Sequence, residues 1–179
     1  PSMITMEGNP YELVPEEQKF EEATFDNISG VLEEIKDSGE KVLFIFDDVV
    51  SDLRGAGKGA IESLLHKIWF NRRHLAGAGG SVSLIATSQS YVKIDPKLRK
   101  TSSHLIQYKP IKKEIENIFD DMITLPKKEF LDVLRYIYQK KHDFLFLTLQ
   151  EKDTKQLHKN FNRLIISSDN IAEFDLDNE

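Results

Sequence analysis

The sequence predicts an α/β fold in which a parallel sheet is flanked by helices. Three observations carry this. Val42 to Phe46 form a continuous apolar run rich in Val, Ile and Phe, the pattern of a parallel strand covered on both faces. "GAIESLLHKIWFNRRHL" follows, with Ile61, Leu64, Leu65, Ile68 and Trp69 on one helical stripe. "SVSLIATSQS" then supplies a second strand, and strand–helix–strand implies a right-handed parallel crossover. At 179 residues, with 40% hydrophobic and 30% charged residues, the chain has globular composition and reads as one domain over 1–168.

Within that domain, residues 1–40 read as a connection and a helix. "GNPYELVPEEQ" has two prolines and the character of a polar linker. "DNISGVLEEIKDSG" spaces Ile28, Val31, Leu32 and Ile35 as a helix, with Asp26 or Asn27 as cap and Gly39 as stop. Residues 41–109 hold the two strands and their crossover helix, closed by the glycines of "AGAGG" at 76 to 80. Residues 110–168 give two more helices and two strands. One helix opens at Pro110 and uses Ile111, Ile115, Ile118, Phe119 and Met122; the other opens at Pro126 and uses Phe130, Leu134, Ile137 and Tyr138. "FLFLTLQ" and "NRLIIS", joined by the polar "EKDTKQLHK", predict a C-terminal β-hairpin. The acidic tail, 169–179, is expected to fray.

Composition excludes several function classes. With no cysteine there is neither a disulfide nor a thiolate metal site. No apolar run reaches the roughly 20 residues of a membrane span, and no secretory signal is visible, so the expectation is not a secreted protein. A net charge of −6 gives no overall attraction to nucleic acid, so such binding would need a local basic face. The five histidines show no metal-ligand spacing.

The candidate chemistry sits where the first strand stops. "KVLFIFDDVVSDL" ends its apolar run in Asp47 and Asp48. In a parallel α/β sheet, ligands sit at the carboxyl ends of strands. There, one carboxylate can hold Mg²⁺, mostly through water, while a second polarises an attacking water. The plainer reading is an acidic strand end that caps the next helix. The second strand ends in Thr87, Ser88 and Gln89, and a Gln there can orient a water or sense a γ-phosphate. Arg72 and Arg73 close the crossover helix; they suit a transferred phosphoryl group, although cations also favour helix C-termini in general. Lys93, Lys97, Arg99 and Lys100 surround Tyr91 and could meet a nucleic-acid backbone or form a solvated turn. "RGAGKGA", 54 to 60, is not a Walker A loop: Asp52 stands where its first Gly belongs, and Gly59 offers no hydroxyl after Lys58.

Taken together, "VLFIFDDVVSDL", "IWFNRRHL" and "SLIATSQSYVKIDPKLRK" resemble the genome-packaging ATPases of large DNA viruses, of the poxvirus type, in the FtsK–HerA superfamily of P-loop motors. The resemblance covers about residues 10 to 120. It implies a P-loop NTPase-like parallel sheet, incomplete at its N-terminal side, followed by a β-hairpin. By position, Asp47 would be the Walker B aspartate on Mg²⁺, Asp48 the catalytic acid and Gln89 the polar sensor, with Thr87 beside the nucleotide. Arg72 or Arg73 would be the arginine finger acting on a neighbouring subunit's ATP. The family further implies ATP with Mg²⁺, a homo-oligomeric ring around double-stranded DNA, capsid or portal-type viral partners, and a host-cytoplasmic, viral-factory or virion-associated setting.

One departure is large: the 179 residues contain no Walker A loop. The expectation is a C-terminal piece of a longer ATPase or a degenerate relative, and Pro1 in place of an initiator Met favours the piece. Two rival readings stand beside it. A metal-dependent nuclease would use Asp47, Asp48 and Asp52 as ligands. A non-catalytic DNA-binding or scaffold module would use Arg72, Arg73 and the 93 to 100 cluster without ATP.

Overall fold

The computed structural model describes residues 11–48, 59–151, 153–167 and 170–173. It divides into two compact units, Pro1–Thr87 and Ser88–Glu179. Asp52, most of the glycine-rich 54 to 60 stretch and most of the acidic tail lie outside the described residues.

The first unit is a helix, a strand, a helix and a strand: α1 (Phe25–Ile35), β1 (Lys41–Phe46), α2 (Gly59–Asn71) and β2 (Ser81–Ala86). The strands pair in parallel with register Phe46↔Ala86, as the strand–helix–strand pattern requires. The α1 helix starts earlier than its apolar spacing indicates. Thr24, rather than Asp26 or Asn27, is the N-cap, its hydroxyl accepting from the Asn27 amide at 3.2 Å. Gly39 lies four residues past the helix, in the turn to β1. Ile28, Leu32 and Ile35 of α1 are buried, as are Leu65, Ile68 and Trp69 of α2, so both amphipathic stripes face the interior.

The coverage of the sheet differs from expectation. Phe46 and Val82 are buried on one face, while the other face is open: Leu43 is 52% exposed, Ile45 40% and Ile85 50%. A continuous apolar run implied cover on both sides, but the described residues cover one. The broader expectation of a P-loop-like parallel sheet reduces here to two parallel strands.

Backbone contacts close the amino edge of this pair. The Gly39 amide donates to the Ala76 carbonyl at 2.7 Å, and the Ser81 amide to the Glu40 carbonyl at 2.9 Å. Gly77 has φ +74°, and a Cβ there would lie 2.6 Å from the Asp37 Cα. Only glycine fits where these two turns meet.

The second unit holds α3 (Pro96–Thr101), β3 (His104–Tyr108), α4 (Lys112–Met122), α5 (Lys127–Ile137), β4 (Phe144–Thr148), β5 (Leu157–Lys159), β6 (Asn162–Ile166) and β7 (Ile171–Glu173). Its five strands form an antiparallel sheet in sequential order, β3 to β7. The predicted hairpin is corrected. "FLFLTLQ" and "NRLIIS" are β4 and β6, and they are not neighbours, because the polar connection folds into β5 between them. Pro126 caps α5 as anticipated, whereas Pro110 stands one residue before the cap of α4: Ile111 is that cap and is exposed instead of joining the buried stripe. The core is built from Ile118, Phe130, Val133, Leu134 and Ile137 of the helices and Leu145, Leu147, Leu157 and Leu164 of the strands. Among the described residues, no helix is long and apolar enough to cross a membrane.

Candidate functional site

Asp47, Asp48 and Thr87 meet at the carboxyl edge of the parallel pair. Strand register brings them together, since Phe46 and Ala86 are opposite and each is followed by a polar residue. The Thr87 amide donates to the Phe46 carbonyl at 2.9 Å and extends the ladder by one rung. Its hydroxyl then does two jobs: it donates to Asp47 Oδ1 at 2.6 Å and accepts from the Asp48 amide at 2.8 Å. A hydroxyl both donates and accepts, so threonine suits this bridge where valine would not.

Asp48 has φ +54°. Among residues with a side chain, Asp and Asn tolerate this left-handed conformation best. The turn sets the two carboxylates on different courses. Asp47 is exposed with one oxygen occupied by Thr87, whereas Asp48 is half-buried. Hard oxygen donors of this kind fit Mg²⁺, which keeps most of its shell as water and takes one or two carboxylates from a protein. Asp47 would hold the ion.

The arginines lie at the opposite edge. Arg72 follows α2, its guanidinium donates to the Trp69 carbonyl at 2.9 Å, and its own carbonyl accepts from the Val82 amide at the start of β2. Strands of this length, at about 3.3 Å per residue, separate the two edges by roughly 16 Å. Within one chain, Arg72 therefore does not join the carboxylates, and Arg73, the next residue, is exposed beyond the same helix end.

In the second unit, Gln89 is exposed ahead of the short helical turn Tyr91–Lys93. Lys93 and Lys97 are exposed, as a backbone-contacting cluster needs. Arg99 is different. Its side chain is only 10% exposed and pairs with Asp121, while its guanidinium lies 4.4 Å from the Tyr91 ring centre. The Tyr91 hydroxyl also donates to Asp121 at 3.2 Å, and the Tyr91 amide to Glu114 at 2.9 Å. Burial pushes the Tyr91 phenol up to about 12. Arg99 is thus a packing cation of α3, and Lys100 reaches the same Asp121 at 3.8 Å. The sequence pointed to the basic residues and missed this network, whose acidic members lie on α4, more than 20 positions downstream of Tyr91 and Arg99.

No protein-family model, curated protein or solved structure matches the chain.

Proposed function

We propose that this chain carries the magnesium and water half of an ATP-hydrolysing centre in a DNA-translocating, ring-forming motor of the viral genome-packaging type. The observation that supports the reading most is the Asp47–Thr87–Asp48 bridge at the carboxyl edge of parallel β1 and β2. Asp47 holds the ion, which screens phosphate charge when bound. Asp48 accepts a proton from, and orients, the attacking water. Thr87 fixes both aspartates through one hydroxyl. By the resemblance alone, Gln89, two residues after Thr87 in the sequence, would be the polar sensor. Arg72 or Arg73, at the far edge, acts on a neighbouring copy's nucleotide.

These residues do not make a complete centre. The 179 residues hold no GK[ST] loop, and two carboxylates without an amide nest and a lysine repel a triphosphate. The cradle therefore comes from another segment or chain, and the 179 residues alone turn over no ATP.

The test compares Mg²⁺-dependent ATP hydrolysis, with and without duplex DNA, for the natural protein carrying this sequence and its Asp48→Asn variant. Asn keeps the left-handed backbone conformation, so the comparison isolates the carboxylate. The expected result is a loss of about a hundredfold or more. Full activity in the variant, or none in the natural protein, overturns the reading. Turnover of roughly 1–100 per second by the isolated 179 residues would overturn the missing cradle.

A further inference from the structure

The outer face of the antiparallel sheet carries an aromatic surface that the ATPase reading leaves unused. In antiparallel pairs, residues directly opposite one another share a face. Tyr108 is opposite Phe144, Ile106 opposite Phe146, and Phe146 opposite His158. Leu145, Leu147 and Leu157 point the other way, into the core. The outward rings touch in series. Tyr108 and Phe144 are 5.6 Å apart, Phe144 and Phe161 5.1 Å, Phe161 and Phe146 5.5 Å, and Phe146 and His158 5.1 Å. His104 stacks on Phe146 at 5.4 Å. This is not a buried cluster: Tyr108 is 58% exposed and Phe161 68%.

Its surroundings are basic. From Ser102 to Lys113, from Gln139 to Gln150 and from Thr154 to Ser167, the sole acidic residue is Asp143; Glu151 and Asp153 stand in the β4–β5 connection, past the Thr148 end of β4 and away from the Phe144 end that Lys140 and Lys141 lead into. That carboxylate is buried, accepting from the Lys140 amide at 2.7 Å and from the Asn160 side chain at 3.4 Å. Lys109 follows Tyr108, and exposed Lys140 and Lys141 lead into Phe144. Arg163, opposite His158, adds a cation on the outer face itself. Glu173 of β7 lies opposite inward-facing Leu164 and pairs with Lys159 at 3.5 Å. Charge follows the same division along the chain: 8 Lys and Arg against 15 Asp and Glu in Pro1–Thr87, but 16 against 15 in Ser88–Glu179.

We infer that this face binds single-stranded DNA, its bases stacking on Tyr108, Phe161 and Phe146 and its phosphates running past Lys109, Lys140, Lys141 and Arg163. Exposed rings on a sheet give every base a π-face to stack on, and flanking cations track the backbone. A duplex hides those base faces, so the surface discriminates against it. Neither ATP nor the β1 carboxylates take part, so this inference stands apart from the ATPase reading.

The experiment is fluorescence anisotropy of a labelled oligothymidine of about 15 nucleotides against the 179-residue chain at several salt concentrations. Binding is expected to weaken as salt rises and to exceed binding of a duplex of equal length. Phe161→Leu with Tyr108→Leu keeps the apolar area but removes two stacking rings, and weakens binding about tenfold. Both positions are exposed, and circular dichroism confirms that the variant is folded. Lys140→Gln with Lys141→Gln flattens the salt dependence. Absence of binding at low salt, equal or tighter binding of duplex, or indifference to the leucine variant overturns the inference. So does sedimentation showing that the same face instead joins two copies of the chain.

Discussion

Removing the Arg99 guanidinium would strip Asp121 of its closest cation and the Tyr91 ring of the group stacked on it. Arg99→Ala should cost about 2–3 kcal/mol, because a largely buried charged acceptor loses its principal donor. A lower urea midpoint at unchanged m-value would show it; an unchanged midpoint would mean that Arg99 is a surface cation after all. Single residues differ in how far their surroundings can be foreseen. Asp47, Asp48 and Thr87 were legible because a strand end is written locally: an apolar run stops, a polar residue follows, and parallel register aligns two such ends. Arg99 was not, since its partner lies 22 positions away on another helix and nothing near it in the chain marks it as buried.

At the level of elements, the junction of the α1–β1 and α2–β2 turns is the most constrained point described. Gly77→Ala would force a Cβ against the Asp37 backbone at a left-handed φ. The expected penalty is about 2 kcal/mol or more, read as a drop in the thermal midpoint, and a neutral result would show that the two turns can part. Helices were the readable elements here. Their stripes repeat over several turns, and α5 is announced by Pro126 at its cap. Strands were harder. In "FLFLT" the inward leucines and outward phenylalanines are equally apolar, so alternation did not reveal two faces. The short strands β5 and β7, three residues each, are defined by their partners more than by their own composition. "HLIQY" too is held as a strand by its pairing with β4, and it brings His104 and Tyr108 to the aromatic surface.

On the scale of the whole molecule, an average concealed a partition. The net charge of −6 argued against nucleic acid, yet all of the excess acid belongs to Pro1–Thr87, with 8 basic against 15 acidic residues, while Ser88–Glu179 has 16 against 15. That same unit presents Leu43, Ile45 and Ile85 on the uncovered face of two strands that, among the described residues, each have one partner. Its colloidal behaviour follows from the combination. Acidic repulsion keeps copies apart in dilute buffer, and added salt screens that repulsion while leaving apolar attraction in place. Light scattering should therefore rise with ionic strength, and Ile45→Thr with Ile85→Thr should suppress the rise without changing the circular dichroism spectrum. Scattering that falls with salt would mean charge, not the bare face, governs self-association. A preparation of this chain is then best stored at low salt, the opposite of what its basic sheet would recommend.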